Sequence, residues 1–474
     1  NFLYILNKNY KRKRDDQNVF YWTCSTKCGA KINTVETLNG KHEIDEFSTF
    51  SENQHSHAAD PIAIEAKKIK ENIKQQALTS NIEKPIQIYH AAISGTTKTI
   101  SSHITKESAK QIVKRQRRIN LNQNEPKTIQ LIDPPQTLCT TLSGEYFLVK
   151  KTESILLFTT KENCKYLQES KCWLADGTFK SCPNIFQQLY CIHASIKRGS
   201  EEIYVPLVYC LLVGKSQSIY CEMFNLINQY CNENNIDVTE NTDLEIITDF
   251  EIAAINAINE VYPFAMHSTC FFHFCQNIYR KIQNVGLSTK YSNDPDFNLL
   301  ARHIPAMAFL PIDMIQEAWS LLKNLFNNNN EEKSLITYVE ETYVLGKIGM
   351  RTRGRPNNVP SRNPPLFSPD IWSVSNRVRL ELPRTTNTAE SWHRKLNRLT
   401  SPHPGLHKFI TIVQKIQAET ESQIEMLISG HQIKKKKYGV ERNLRLQSIQ
   451  QRINDNSNYC KLEFLKAIAY NLSF

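Results

Sequence analysis

This chain lacks any long apolar run. The longest, from Tyr204 to Gly214, has 11 residues, whereas a helix that crosses a bilayer needs about 20. It lacks a basic opening followed by an apolar stretch, which argues against secretion. It opens on Asn1 rather than Met, so further sequence upstream is expected. It also lacks the close-set cysteine pattern of a small disulfide scaffold. Of its 13 Cys, several (Cys172, Cys191, Cys210, Cys221) stand singly in apolar segments. Free Cys there behaves as a small hydrophobe, which fits a reducing compartment. What is present is 474 residues that are 40% hydrophobic and 22% charged. That excludes a wholly disordered chain and gives a soft prior of about three domains.

Charge is unevenly spread. Residues 1–120 carry a net +8, residues 121–350 a net −9 and residues 351–474 a net +12. An acidic middle between basic flanks points to a polyanion gripped at the ends, with central carboxylates available to hard cations. A core domain with solvated basic tails is the plainer alternative.

Residues 1–60 read as short strands: one starting at Phe2-Leu3-Tyr4, then 19–24, then 30–33. So small a module needs a staple. Cys24 and Cys28, with His55 and His57 downstream, supply the two thiolates and two imidazoles of a closed tetrahedral zinc site; stray thiols and surface histidines are the alternative. The run Lys11-Arg12-Lys13-Arg14 is placed in a loop, as a phosphate contact, a nuclear address or a solvated cluster. The aromatic opening, Tyr21-Trp22-Thr23-Cys24, Cys28 and His55-x-His57 together resemble the FLYWCH zinc finger, a small β-rich module that binds DNA or protein. The resemblance implies that Cys24, Cys28, His55 and His57 hold zinc.

Residues 61–145 change to a helical, basic linker. Ile64, Ile69, Ile73 and Leu78 predict a helix over about 62–79, Pro85 breaks it, and 86–93 and 106–118 follow. The last ends in Lys114-Arg115-Gln116-Arg117-Arg118. These residues either suit the helix dipole or contact DNA. Residues 119–145, with three prolines, read as a connector.

From 146 to about 290 the order is mainly strands and alternating helices. Strands are expected at 154–159, 172–180, 186–195, 204–213, 244–249 and 264–268, with helices at 216–233, 251–259 and 271–282. That pattern suits a mixed α/β sheet sandwiched by helices, as in the ribonuclease H-like fold. Asp176 and Asp249 stand at strand positions. A carboxylate there is costly to bury unless paired or metal-bound. Two such acids on adjacent central strands suit a two-cation phosphoryl-transfer site. Asp as an ordinary turn residue is the alternative.

Asp176-Gly177-Thr178-Phe179-Lys180 followed by Pro183, Phe186, Gln188-Leu189-Tyr190 and Ile192-His193, then Thr248-Asp249, Cys270-Phe271-Phe272-His273, and the run from Arg384 through Asn387 and Glu390 to Trp392-His393, resemble the Mutator-like (MULE) transposases. The resemblance implies an Asp176-Asp249-Glu390 triad holding magnesium or manganese. It implies DNA as partner (transposon ends and target), a nuclear location, and metal-dependent strand cleavage and transfer, with assembly as a homo-oligomer on DNA. By spacing alone Glu390 sits in the first turn of a helix capped by Thr388, as a dipole-compensating acid or a partner of Arg394. Cys270 and His273 are too few for a closed zinc site; they are read as accessory or as a buried structural pair, and Arg384 as accessory.

Residues 291–375 read as a helical insertion, with helices at 312–326 and 335–344, and a basic loop at 349–369 carrying Arg351, Arg353, Arg355 and Arg362. Residues 376–415 return to the core, and 416–474 form a helical tail with Lys434–Lys437 between two helices. The rival reading is a domesticated zinc-finger DNA-binding regulator that keeps the fold without transposition.

Overall fold

The computed structural model describes residues 4–14, 17–36, 42–44, 55–79, 83–120, 125–199, 201–349, 362–431, 437–455 and 460–472. The chain divides into two compact units, Asn1–Asn124 and Glu125–Phe474.

The first unit opens with an antiparallel sheet in the order β1-β2-β3-β4, formed by β1 (Tyr4–Arg14), β2 (Gln17–Cys24), β3 (Lys31–Glu36) and β4 (His42–Ile44). Lys11–Arg14 lie in β1, paired in register with residues 17–20 of β2, and not in a loop. Continuing the hairpin gives their backbone groups partners that a loop would have left to water. The unit continues with helices Pro61–Thr79, Pro85–Ile93, Lys98–Ser102 and Lys106–Asn120. Ile69, Ile73, Ala77, Ile88, Tyr89, Ile104, Ala109 and Val113 form their shared core. The polar sequence of the last helix is therefore a solvated face around a narrow apolar stripe.

The second unit is built on a seven-stranded mixed sheet in the order β11-β10-β7-β8-β9-β6-β5. Its strands are β5 (Leu148–Lys151), β6 (Ile155–Phe158), β7 (Cys172–Thr178), β8 (Gln188–Arg198), β9 (Glu201–Leu212), β10 (Glu245–Thr248) and β11 (Met266–Thr269). The β7-β8-β9-β6-β5 side is antiparallel, and β10 and β11 add in parallel on the other side of β7. The central strand β7 is covered on both faces, so its sequence reads as apolar throughout rather than alternating. From one face of the sheet, Trp173, Ala175, Ile192 and Ile246 pack among Leu167 of helix Lys161–Glu169, Phe224 of helix Gln217–Glu233 and Ile258 of helix Ile252–Val261. The opposite face carries Cys172, Leu174 and Ile247 against Cys270. Cys172, Cys191 and Cys210 are buried, as their apolar settings predict.

A second core is built mainly from helices. Phe274 of helix Phe271–Asn284, Trp319 of helix Ile315–Leu322, Leu335 of helix Asn330–Val339, Tyr343 and Trp372 meet there. The expected helix over 335–344 is instead two elements, because the chain widens into a π turn at Glu340–Val344. Leu446, Ile453, Phe464, Leu465 and Ile468, from helices Lys437–Asp455 and Lys461–Tyr470, join the same core. The end of the chain thus packs into the helical insertion. Lys434–Lys436 and Arg351, Arg353 and Arg355 lie outside the described residues.

Candidate functional sites

Among the described residues, two clusters of chemically capable side chains stand out, one in each unit. In the first unit, the ligand atoms of Cys24, Cys28, His55 and His57 all lie within 4.8 Å of one another. Cys24 ends β2, and a tight turn carries the chain to Cys28, with the Lys27 amide donating to the Cys24 carbonyl and Gly29 at φ +89°. Few residues other than glycine adopt that left-handed backbone readily. Cys24 Sγ is 3.2 Å from His57 Nε2, and Cys28 Sγ is 3.4 Å from His55 Nδ1. The other ring nitrogens are held from behind: His57 Nδ1 by the Ala58 carbonyl at 2.9 Å, and His55 Nε2 by the Tyr4 hydroxyl at 2.9 Å. Such outer contacts orient imidazole ligands and fix their tautomers. Burial would raise the Cys24 thiol, but hydrogen bonds from Thr26 and His57 outweigh it and lower its pKa to about 6. Two thiolates and two oriented imidazoles fit a closed zinc site.

In the second unit the three acids are carried by three separate elements. Ile247 of β10 stands opposite Leu174 of β7. Continuing that parallel register by two residues sets Asp249, just past the end of β10, beside Asp176. Equivalent positions on neighbouring strands project to the same side of a sheet. Gly177 N donates to Asp176 Oδ1 at 2.9 Å, and a Cβ at Gly177 would stand 2.7 Å from Gln188 Oε1. A larger residue there would therefore have to displace the Gln188 side chain beside this stretch of β7.

Glu390 arrives on helix Asn387–Leu399. The cap is Thr386, not Thr388, which lies within the first turn; the Thr386 side chain caps no backbone N–H of the helix. Instead, its amide and hydroxyl both donate to Cys270 Sγ, at 3.3 Å each. His273 Nε2 lies 3.7 Å from Glu390 Oε1, and Cys270, His273 and Glu390 bring their ligand atoms within 4.8 Å of one another. The Cys-x-x-His element thus packs directly against the third acid.

Electrostatics tie these groups together. Burial and the Asp176 charge raise the Asp249 pKa to about 6. Burial also raises Glu390, with the His273 charge partly offsetting it. Asp176 goes the other way: burial raises it, but the contact and charge of His393, the His273 charge and the Gly177 amide together outweigh that and lower it. Burial opposes charge on His273, yet Cys270, Asp176 and Glu390 push its pKa up to about 9. Glu390 Oε1 is buried without a hydrogen-bond partner among the described residues.

The three carboxylates do not converge on one point: no cluster within 4.8 Å contains all of them among the described residues. A two-cation site does not require it. With ions about 4 Å apart, each about 2 Å from its ligands, acids at the two ends span up to about 8 Å. The buried Asp176, the half-buried Asp249 that its charge opposes, and the Glu390 oxygen that lacks a hydrogen bond among the described residues suit magnesium or manganese, which favour carboxylate oxygen.

The remaining sequence candidates separate. Lys114 and Arg115 are exposed on helix Lys106–Asn120. Arg117 instead donates to the Glu83 carbonyl at 2.8 Å, and the Arg118 side chain lies outside the described residues. Arg384 is mostly turned inward, donating to Asn443 Oδ1 at 2.5 Å, and burial lowers its pKa to about 10. Arg362 is engaged with Glu340 and the Gly346 carbonyl. Two further groups had no role assigned from the sequence. His393 touches Asp176, and Arg280 is exposed and lines the cleft that holds Asp249 and His273. Helical spacing of His393 from Glu390 was the available signal for the first.

Residues 172–277 match the family model of the MULE transposase domain. The match spans both aspartates and the Cys-x-x-His element and ends before Glu390. No curated protein matches the chain.

Proposed function

We propose that this protein is a DNA transposase of the MULE class, acting by metal-dependent strand cleavage and strand transfer through Asp176, Asp249 and Glu390. The observation that carries the reading is the electrostatic coupling of Asp176, in β7, with Asp249, just past the neighbouring strand β10, within a segment that matches the MULE transposase domain. The order β9-β8-β7-β10-β11, antiparallel and then parallel, supports a ribonuclease H-like core.

Two divalent cations bound to these acids would supply charge stabilisation at the attacking and leaving oxygens of an in-line phosphoryl displacement. Asp176, coupled electrostatically to the other two acids, would hold the cations together with them. The same acids would serve two steps: attack of water on the phosphodiester at an element end, then attack of the freed 3′-hydroxyl on target DNA. Arg280, at the rim of the cleft, would hold backbone phosphate. Lys114 and Arg115 would add backbone contacts that position DNA without reading its sequence. The Cys24-Cys28-His55-His57 module, read as a FLYWCH-type zinc finger, would bind terminal DNA, in the nucleus.

The test is nicking of a duplex that carries the element's own ends, with magnesium or manganese. The parent is expected to nick, and D176A and D249A to lose nicking while still binding DNA. Equal nicking by the variants would remove the active-site assignment. DNA binding without nicking by the parent would leave the regulatory DNA-binder.

A further inference from the structure

We propose that His393 is a positioning residue of this site: it holds the Asp176 carboxylate in the orientation that receives a cation, from the same helix that delivers Glu390. The inference rests on the catalytic reading above and deepens it.

His393 Nδ1 lies 3.1 Å from Asp176 Oδ2, with both side chains at least nine-tenths buried. The other oxygen of Asp176 accepts the Gly177 amide. An ionised carboxylate can only accept, so the His393 proton that matters sits on Nδ1. The second ring nitrogen, Nε2, is buried with no hydrogen-bond partner among the described residues. Asp176 is thus the polar group that the ring approaches there, at 3.1 Å. The ring cannot easily turn away, because it packs edge-on against Trp392, at 5.2 Å between centroids. Trp392 in turn lies against His193 of β8 and Tyr209 of β9.

The helix geometry makes this contact informative. Positions three apart lie on one side of a helix, so Glu390 and His393 both face the acids. Any shift of helix Asn387–Leu399 that moves Glu390 also moves the group that fixes Asp176. One element therefore sets the aim of two of the three acids, and it does so for an acid that lies 217 positions away in sequence. A buried imidazole that orients a ligating carboxylate is the kind of outer contact whose loss costs about 10- to 100-fold in metal affinity.

The test is manganese binding to the full, zinc-supplied chain, followed by the spectrum of the bound ion and by calorimetry, with folding checked by circular dichroism and thermal melting. H393F fills the space and removes the donor. H393N restores a donor at the Nδ1 position, and D249A reports on the acid site itself. The expected result is about 10- to 100-fold weaker binding in H393F, recovery to within a few-fold of the parent in H393N, and loss in D249A. Should H393F not fold, H393L takes its place. Loss in D249A with parental affinity in H393F overturns the role of His393 and leaves the acid site standing. Equal weakening in H393F and H393N also overturns it, because bulk and not the hydrogen bond would then matter. A directly bound nitrogen signal lost in H393F would make His393 a ligand and overturn the positioning role. Parental affinity in D249A removes the acid site, and this inference with it.

Discussion

The sulfur of Cys270 accepts two hydrogen bonds from Thr386, one from its amide and one from its hydroxyl, across 116 residues of sequence. Beside this contact, the Phe271 amide donates to the Arg384 carbonyl at 3.0 Å. Cys270 caps helix Phe271–Asn284, and Thr386 caps helix Asn387–Leu399. One sulfur therefore joins the starts of the two helices that carry His273 and Glu390. Loss of the Thr386 hydroxyl in T386V is expected to cost about 1 kcal/mol, while C270A, which strands two buried donors, costs about 1–3 kcal/mol. Urea unfolding measures both, and a cost no larger in C270A than in T386V would show that the sulfur is not the anchor.

The Cys24-Cys28-His55-His57 cluster leads to a separate prediction. Metal analysis of the parent is expected to find about one zinc per chain. C24S removes a ligand that lies 3.2 Å from His57 Nε2, so zinc is lost and residues 1–60 unfold, since metal binding and folding of so small a module are linked. Backbone amide spectra would report the change there. Retention of zinc by C24S would remove the assignment.

Glu332 sets a pH dependence. Its carboxylate is fully buried and 2.7 Å from Lys290 Nζ. Burial raises its pKa, but the Lys290 contact and the amides of Asn327 and Asn329 outweigh that and hold it below the ordinary 4.5. A depressed carboxylate stabilises the fold above its unfolded pKa and loses that contribution as pH falls through the folded value. E332Q is therefore expected to be less stable than the parent at pH 7. The gap should close as pH drops below about 4.5. Thermal melts across pH 3–7 would show it, and a gap that widens on acidification would contradict the assignment.

Arg377 and Glu245 form a buried ion pair with Nε to Oε1 at 3.3 Å. The guanidinium also donates to the carbonyls of Thr269, Ser373 and Arg384, stitching the segment before Glu390 to the strand ends below Asp249. R377M leaves Glu245 buried and unpaired, at an expected cost of about 3–5 kcal/mol. The double variant R377M/E245L should recover much of that loss. Equilibrium unfolding of all four forms completes the cycle, and additive losses would show that the pair is not coupled.

Much of this was legible because it is local. The apolar run around Asp176, the strand before Asp249 and the amphipathic helices each follow from spacing within a few residues. So does the Cys24-Cys28 turn, where three intervening residues keep two sulfurs close. Errors also arose locally. Lys11–Arg14 look like loop by charge, yet pairing with β2 overrides that preference. Thr388 looks like a cap, but Thr386 takes the position because its hydroxyl and amide are drawn to a distant sulfur.

The amino-acid order alone specified which side chains could bind cations, where strands and helices begin, and that the middle of the chain is acidic between basic flanks. It contained no measure of which strand lies beside which. The β7–β10 pairing, the contact of His393 with Asp176 and the approach of His273 to Glu390 each join residues more than 70 positions apart. Their proximity comes from the packing of whole layers, where burial of many apolar side chains outweighs the cost of confining a few charged ones. That balance is a property of the folded chain, and no short window of sequence expresses it.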